Sequence, residues 1–264
     1  MTDRIDILTA LAAAGLDLAE PPQAPTRRRK CLGCAAEVDR SAPLGLCGKC
    51  LVGEVESRRE EVLARVLPGI HLAAQFGTPN LAAWCQDATA TRWAHAFGVK
   101  APPCPTVTLW GTTGSGKSTL AAAMLRALLT GPRRHASAAW FDARDLARAR
   151  KQHCLGQGEP PELKKAIDAD ILVLDEAGKE TLARDGDAGD VVMVLDERHR
   201  LREHLTIVTT EWAANPTAAG AKLADIYMPS LVRRLTEPWR AGPPQVGSAL
   251  VIQVRREDEI KVAA

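Results

Sequence analysis

Gly111-Thr112-Thr113-Gly114-Ser115-Gly116-Lys117-Ser118, with Thr119 directly after, sets a glycine, four residues, Gly-Lys and a hydroxyl in the order that cradles nucleotide phosphates. Its glycines permit a backbone whose N–H groups converge on an anion at a helix N-terminus. In such a loop Lys117 reaches the β- and γ-phosphates of ATP, and the Ser118 hydroxyl ligates Mg2+. The alternative is a glycine-rich turn that merely joins a strand to a helix. Both flanks favour the phosphate loop: Thr106–Trp110 is β-branched and apolar like a buried strand, and Leu120–Leu129 is rich in alanine and leucine like a helix.

A second set of residues suits the same chemistry. Ile171-Leu172-Val173-Leu174 is a hydrophobic strand ending in Asp175-Glu176. Laid parallel to the phosphate-loop strand, it would bring Asp175 beside Ser118 to hold Mg2+ and Glu176 to a place where it polarises attacking water. Leu205–Thr210 is another β-branched strand, and Thr210 at its tip either senses the γ-phosphate or simply ends the strand. Arg233 and Arg234 lie in a short helical pattern, Leu231–Leu235. They form either a solvated face or an arginine supplied to a neighbouring subunit's γ-phosphate.

Cys31-Leu32-Gly33-Cys34 and Cys47-Gly48-Lys49-Cys50 are two CxxC knuckles separated by twelve residues. Four thiolates at this spacing can close a tetrahedral site around Zn2+, with a redox pair or an iron–sulfur cluster as alternatives. Cys85, Cys104 and Cys154 stand alone and read as ordinary cysteines.

The elements that must position these groups follow from the pattern. Strands at Thr106–Trp110, Ala138–Asp142, Ile171–Leu174, Leu205–Thr210 and Ala249–Val254 alternate with helical stretches, which predicts an α/β core with a parallel five-stranded sheet flanked by helices. Residues 1–18 form a short amphipathic pattern, a proline-rich stretch runs to Thr26, and Gly53–Leu67 is helical. We therefore expect an N-terminal helix and four-cysteine module over 1–67, a helical linker region over 68–105, and an ATPase domain over 106–264. Hydrophobic content of 46% and charged content of 25% are those of a globular protein, and a net charge of +2 leaves nucleic-acid contacts to local patches. No membrane span or secretory signal is visible, so a cytoplasmic protein is expected. Arg144, Arg148, Arg150, Lys151, Lys164 and Lys165, interrupted by Gly156, Gly158, Pro160 and Pro161, form either a groove that tracks a phosphate backbone or a solvated helix face.

Taken in order, Gly111–Thr119, Ala169–Glu180, Val194-Leu195-Asp196-Glu197-Arg198, Thr206–Thr210, Leu231–Leu235 and a C-terminal stretch with no obvious helical lid resemble the DnaC/DnaI-like replicative helicase loaders and their IstB-type transposition relatives, within the AAA+ ATPases. The resemblance spans about residues 106–256. It implies that Lys117 and Ser118 bind nucleotide and Mg2+, that Asp175 and Glu176 are the Walker B pair, and that Arg234, the arginine immediately before the final leucine, is the arginine finger. The pattern's asparagine at the sensor-strand tip is replaced here by Thr210-Glu211. The resemblance further implies a homo-oligomer partnered by a replicative helicase and single-stranded DNA. The alternative is an IstB-like helper that binds duplex DNA and a transposase. A cysteine module ahead of the ATPase favours the loader. A small-molecule kinase using the same loop is disfavoured, because Glu176 follows Asp175 and no acceptor-binding lid is visible.

Overall fold

A computed structural model describes residues 28–39, 43–100, 105–154, 157–180, 188–201, 204–211, 227–236, 249–256 and 258. The expected amphipathic segment at 1–18, the proline-rich stretch after it and Cys104 lie outside these residues. The chain divides into two compact units, one ending at Arg58 and one beginning at Arg59.

In the first unit, strands β1 (Arg28–Lys30) and β2 (Glu37–Asp39) form an antiparallel hairpin, followed by a short 3-10 turn at Pro43–Gly45. Helix α1 (Gly48–Val66) begins earlier than the expected Gly53, so Cys50 sits in its first turn. The second knuckle thus ends in a helix rather than a loop.

The second unit is built on five parallel strands: β3 (Thr106–Trp110), β4 (Ala138–Asp142), β5 (Ile171–Ala177), β6 (Leu205–Thr210) and β7 (Ala249–Gln253). They run in the spatial order β4-β5-β6-β3-β7. The phosphate-loop strand β3 therefore lies beside β6, with β5 next beyond it. Strands β3, β4 and β6 match the sequence reading residue for residue. Strand β5 runs on to Ala177 through an irregular register between Leu174 and Ala177, where Glu176 takes φ 58.

Helices cover both faces of the sheet, and the two-residue period of the strands sorts the side chains between them. On one face lie α2 (Pro79–Trp84), α3 (Ala88–Lys100) and α4 (Lys117–Thr130), packed against Val107, Leu109, Ile171, Val173, Leu205 and Ile207. On the other lie α5 (Ala143–Gln152), α6 (Pro161–Asp168), α7 (Ala188–Arg200) and α8 (Pro229–Thr236), against Leu172, Leu174 and Val208. Between residues 68 and 100 the chain forms a short 3-10 turn at Gly69–His71 followed by α2 and α3, and Ala90, Ala94 and Phe97 of α3 are buried in the core beside α4. The two helices approach closely because α3 has no side chain at Gly98, where a Cβ would come within 2.9 Å of Ala127 Cβ.

Candidate nucleotide site and cysteine cluster

The same alternation decides what reaches the phosphate loop. Asp175 shares the face of Ile171 and Val173, which α4 covers, so it points toward the first turn of that helix. Ser118 Oγ donates to Asp175 Oδ1 at 2.7 Å. Thr209, in phase with Leu205 and Ile207, also donates to Asp175 Oδ1, and it accepts the Glu176 N–H at 3.0 Å. Ser118, Asp175 and Thr209 thus put three side-chain oxygens on one point.

The loop geometry fits an anion. Gly116 caps α4 with φ 89, and a Cβ there would collide with Trp84 O at 2.2 Å, so the backbone turn requires glycine. Gly111 N–H donates to Thr210 O at 3.2 Å, which fixes the start of the loop to β6. Lys117 Nζ folds back onto Gly111 O and Thr112 O at 2.8 and 2.7 Å, and burial pulls its pKa down. Ser115 Oγ is buried with no hydrogen-bond partner among the described residues, an orphan that a phosphate oxygen would satisfy. Thr119 turns its hydroxyl to His71 Nδ1 at 3.4 Å.

A cleft of about 520 Å³ lies over these groups, lined among others by Ile70, His71, Trp84, Gly114, Trp140, Arg144 and Glu211. A second hollow of about 440 Å³, on the other side of Gly114 and Ser115, is lined by Trp84, Gln86, Arg255 and Arg256. His71 stacks on Trp140 with ring centroids 5.7 Å apart, and burial lowers its pKa. Its segment is held over α4 by Arg126, which donates to Leu72 O and Ala74 O at 2.5 and 3.2 Å. Arg255 is fixed by Asp87 at 3.1 Å, the same carboxylate that accepts Thr89 and Ala90 N–H at the start of α3.

Glu176 is held by two cations: Arg144 at 2.8 Å from Oε2 and Lys179 at 3.0 Å from Oε1. Arg144 also clasps Asp142 at 2.7 Å. Thr210 is fully buried and its hydroxyl donates to Ala177 O at 2.8 Å, on the face of the sheet opposite α4. Thr210 lines the cleft together with Thr209 before it and Glu211 just beyond the end of β6, but of the two threonines it is Thr209 whose hydroxyl meets Asp175. Period-two phase alone could have picked Thr209, because Leu205 and Ile207 had to face α4. His71, Trp84 and Trp140 carried no comparable signal.

Two further placements bear on the sequence reading. Arg234 lies on α8 and pairs with Asp196 of α7, outside the cleft-lining residues of its own chain. The basic run between β4 and β5 is not a uniform strip. Arg144 turns into the cleft and Arg150 pairs with Asp190 and Glu159 at 2.8 and 2.7 Å, while Arg148, Lys151, Lys164 and Lys165 are exposed.

In the cysteine-bearing unit the sulfurs of Cys31, Cys34, Cys47 and Cys50 all lie within 4.8 Å of one another. Four thiolates at about 2.3 Å from one tetrahedral ion sit about 3.8 Å apart, so the cluster has the right size. Cys31 Sγ accepts the N–H groups of Gly33 and Cys47 at 3.4 and 3.2 Å, and chiefly the latter pulls its pKa down to about 6, favouring the thiolate. Gly33 leaves room for Cys50 Sγ, which a Cβ would meet at 2.9 Å.

No family model and no curated protein matches this chain. Among solved structures it is similar to a Streptococcus pyogenes serotype M3 protein described as a primosome component, at 16% identity and TM-score 0.50, over 74% of this chain and 97% of that one. The chain has the AAA+ fold. The DnaC helicase loader is similar at 22% identity and TM-score 0.47, over 66% of this chain and 99% of that one. DnaI is similar at 19% and 0.45, over 75% of this chain and 96% of that one. At these identities the likeness is one of fold. Among the described residues no helix is long and apolar enough to cross a membrane.

Proposed function

We propose that this chain binds and hydrolyses Mg-ATP, and that it serves DNA replication as a helicase loader acting on single-stranded DNA. The observation that carries the nucleotide reading is the 2.7 Å contact between Ser118 and Asp175, directly beside Lys117. Neighbouring ligands of an octahedral Mg2+ lie about 2.9 Å apart, so this hydroxyl and carboxylate can share one ion's shell, directly or through its waters. The ion would offset phosphate charge. Lys117 leaves its two loop carbonyls for phosphate oxygens, and the loop N–H groups and Ser115 Oγ take others. Glu176, one residue beyond Asp175, orients the attacking water and takes its proton. The apolar walls formed by Ile70 and Trp84 suit a base.

Arg234 lies outside the cleft of its own chain, which supports its use in a neighbour's site, and so a homo-oligomer whose turnover depends on assembly. The four thiols suit Zn2+, which would supply folding energy to a unit too small for a large core. The loader reading rests on the ordered motifs of the sequence, on the cysteine module, and on the fold shared with the primosome component. The exposed Arg148, Lys151, Lys164 and Lys165 support a salt-sensitive contact with a phosphate backbone in a cytoplasmic protein. The full chain should hydrolyse ATP more slowly as Glu176→Gln, co-elute with a hexameric replicative helicase in ATP, and bind single strands more weakly as salt rises. Preference for duplex DNA and a transposase would instead favour the transposition helper. No ATP turnover under any of these conditions would remove the enzyme reading.

A further inference from the structure

The phosphate end of the cleft carries more charge than binding phosphate and activating water require. Glu211 follows Thr210 off the end of β6, and its carboxylate accepts the hydroxyl of Thr113 in the middle of the phosphate loop. Lys179 Nζ lies 2.8 Å from the same Glu211 oxygen and 3.0 Å from Glu176 Oε1. One ammonium therefore bridges the candidate base to a carboxylate latched on the loop.

This lysine is placed by a buried network rather than by chance on the surface. Gly178 N–H, next to it in the chain, donates to Glu180 Oε2 at 2.7 Å and to the Tyr227 hydroxyl at 3.0 Å, and Tyr227 in turn donates to Glu180. Glu180 is fully buried and Tyr227 nearly so. Gly178 takes φ 97, a turn that glycine permits. The two carboxylates hold the Lys179 ammonium above its usual range despite burial, while burial opposed by Lys179 and Thr113 leaves Glu211 below its own.

We propose that Lys179 and Glu211 are a γ-phosphate-sensing pair, a reading that rests on the nucleotide site assigned above. A γ-phosphate arriving beside Lys117 brings like charge to Glu211 and opposite charge to Lys179. Repulsion opens the Thr113–Glu211 latch, Lys179 exchanges carboxylates for phosphate oxygens, and Glu176 loses one of its two restraining cations. ADP ends at the β-phosphate and leaves the pair closed. Lys179 is thus a positioning residue that ties release of Glu176 to the presence of triphosphate.

The test measures affinities of the full chain for Mg-ADP and for a non-hydrolysable Mg-ATP analogue by displacement of a fluorescent nucleotide. Charges at such separations shift each other's equilibria by a log unit or more, so Glu211→Gln should raise the ATP-to-ADP affinity ratio about tenfold and Lys179→Met should lower it about tenfold. Lys179→Arg should restore it. The two side chains are 20% and 30% exposed, and Glu211→Gln keeps its shape, so that variant decides alone if Lys179→Met does not fold. An unchanged ratio in folded Glu211→Gln overturns the pair and leaves the nucleotide site standing. Failure of the wild-type chain to bind either nucleotide overturns both.

Discussion

Arg198 offers a test of how the sheet is held in register under the site. It is 1% exposed. Its Nη1 donates to the carbonyls of Ala166, Ile167 and Ala169 at 2.9, 3.0 and 2.5 Å. Its Nη2 donates to Leu205 O at 2.6 Å and its Nε to the Thr206 hydroxyl at 2.9 Å. Carbonyl oxygens rather than a carboxylate surround the charge, and burial lowers its pKa to about 10, leaving it protonated at neutral pH. The side chain joins α7 to the end of α6 and to the start of β6, the strand that delivers Thr209. In Arg198→Met the volume is roughly kept but four carbonyls each lose a donor. A buried acceptor left unpaired costs about 1–3 kcal/mol, and those that keep ladder or helix bonds fall at the low end, so the sum is about 3–5 kcal/mol. That is a large part of a total of about 5–15 kcal/mol. Denaturant unfolding followed by tryptophan fluorescence should show a lower midpoint at unchanged slope. At about 2–4 °C per kcal/mol for a domain of this size, the melting temperature should fall by about 6–20 °C. Arg198→Lys, with three donors in place of five, should fall between. A methionine variant within about 0.5 kcal/mol of wild type would refute the reasoning.

Metal analysis of the full chain should give about one zinc per protein, lost in Cys47→Ser, with the melting of the second unit unaffected. Arg234→Ala should keep nucleotide binding and lose about 10³-fold in turnover, and mixing it with Glu176→Gln should restore part of the activity. No recovery in confirmed mixed assemblies would place Arg234 in its own subunit's chemistry or outside it. The Ser137 hydroxyl and N–H, both 2.7 Å from Asp170 Oδ2, hold that carboxyl below its usual range. Its contribution to stability is therefore full above the unfolded pKa of about 4 and lost as pH falls through the lower folded value. Asp170→Asn should flatten the acid limb of the stability curve, and an unchanged limb would show that other carboxyls set it.

Much of the fold was legible because the inner parallel strands β3, β5 and β6, buried on both faces, are written as apolar runs rich in β-branched residues, and the edge strands β4 and β7 were found as well, as short apolar runs. The phosphate loop and Asp175 were legible for a related reason: their backbone demands glycines and a strand terminus at fixed places. The tip of β6 was harder, because Thr209 and Thr210 are chemically alike and differ only in the face they take. The Asp-x-Arg element of α7 stood out in sequence without its meaning, which emerges only when Asp196 meets Arg234 and Arg198 meets carbonyls from α6 and β6. Of the charges around Glu176, Lys179 is a local neighbour three residues on, but Arg144 and Glu211 come from distant segments, and no local spacing announces their arrival. Arg144 illustrates the cost of reading charge by composition alone. It counted as one of a basic run, and its partners are Asp142 and Glu176.

The central claim is that Lys117, Ser118 and Asp175 form one Mg-nucleotide site. Calorimetric titration of the full chain with Mg-ATP tests it most directly. The account predicts a single saturable event per chain, abolished in Lys117→Ala and weakened by Ser118→Ala or by removal of Mg2+. Absence of saturable binding to the wild type, or equal affinity in Lys117→Ala, would contradict it.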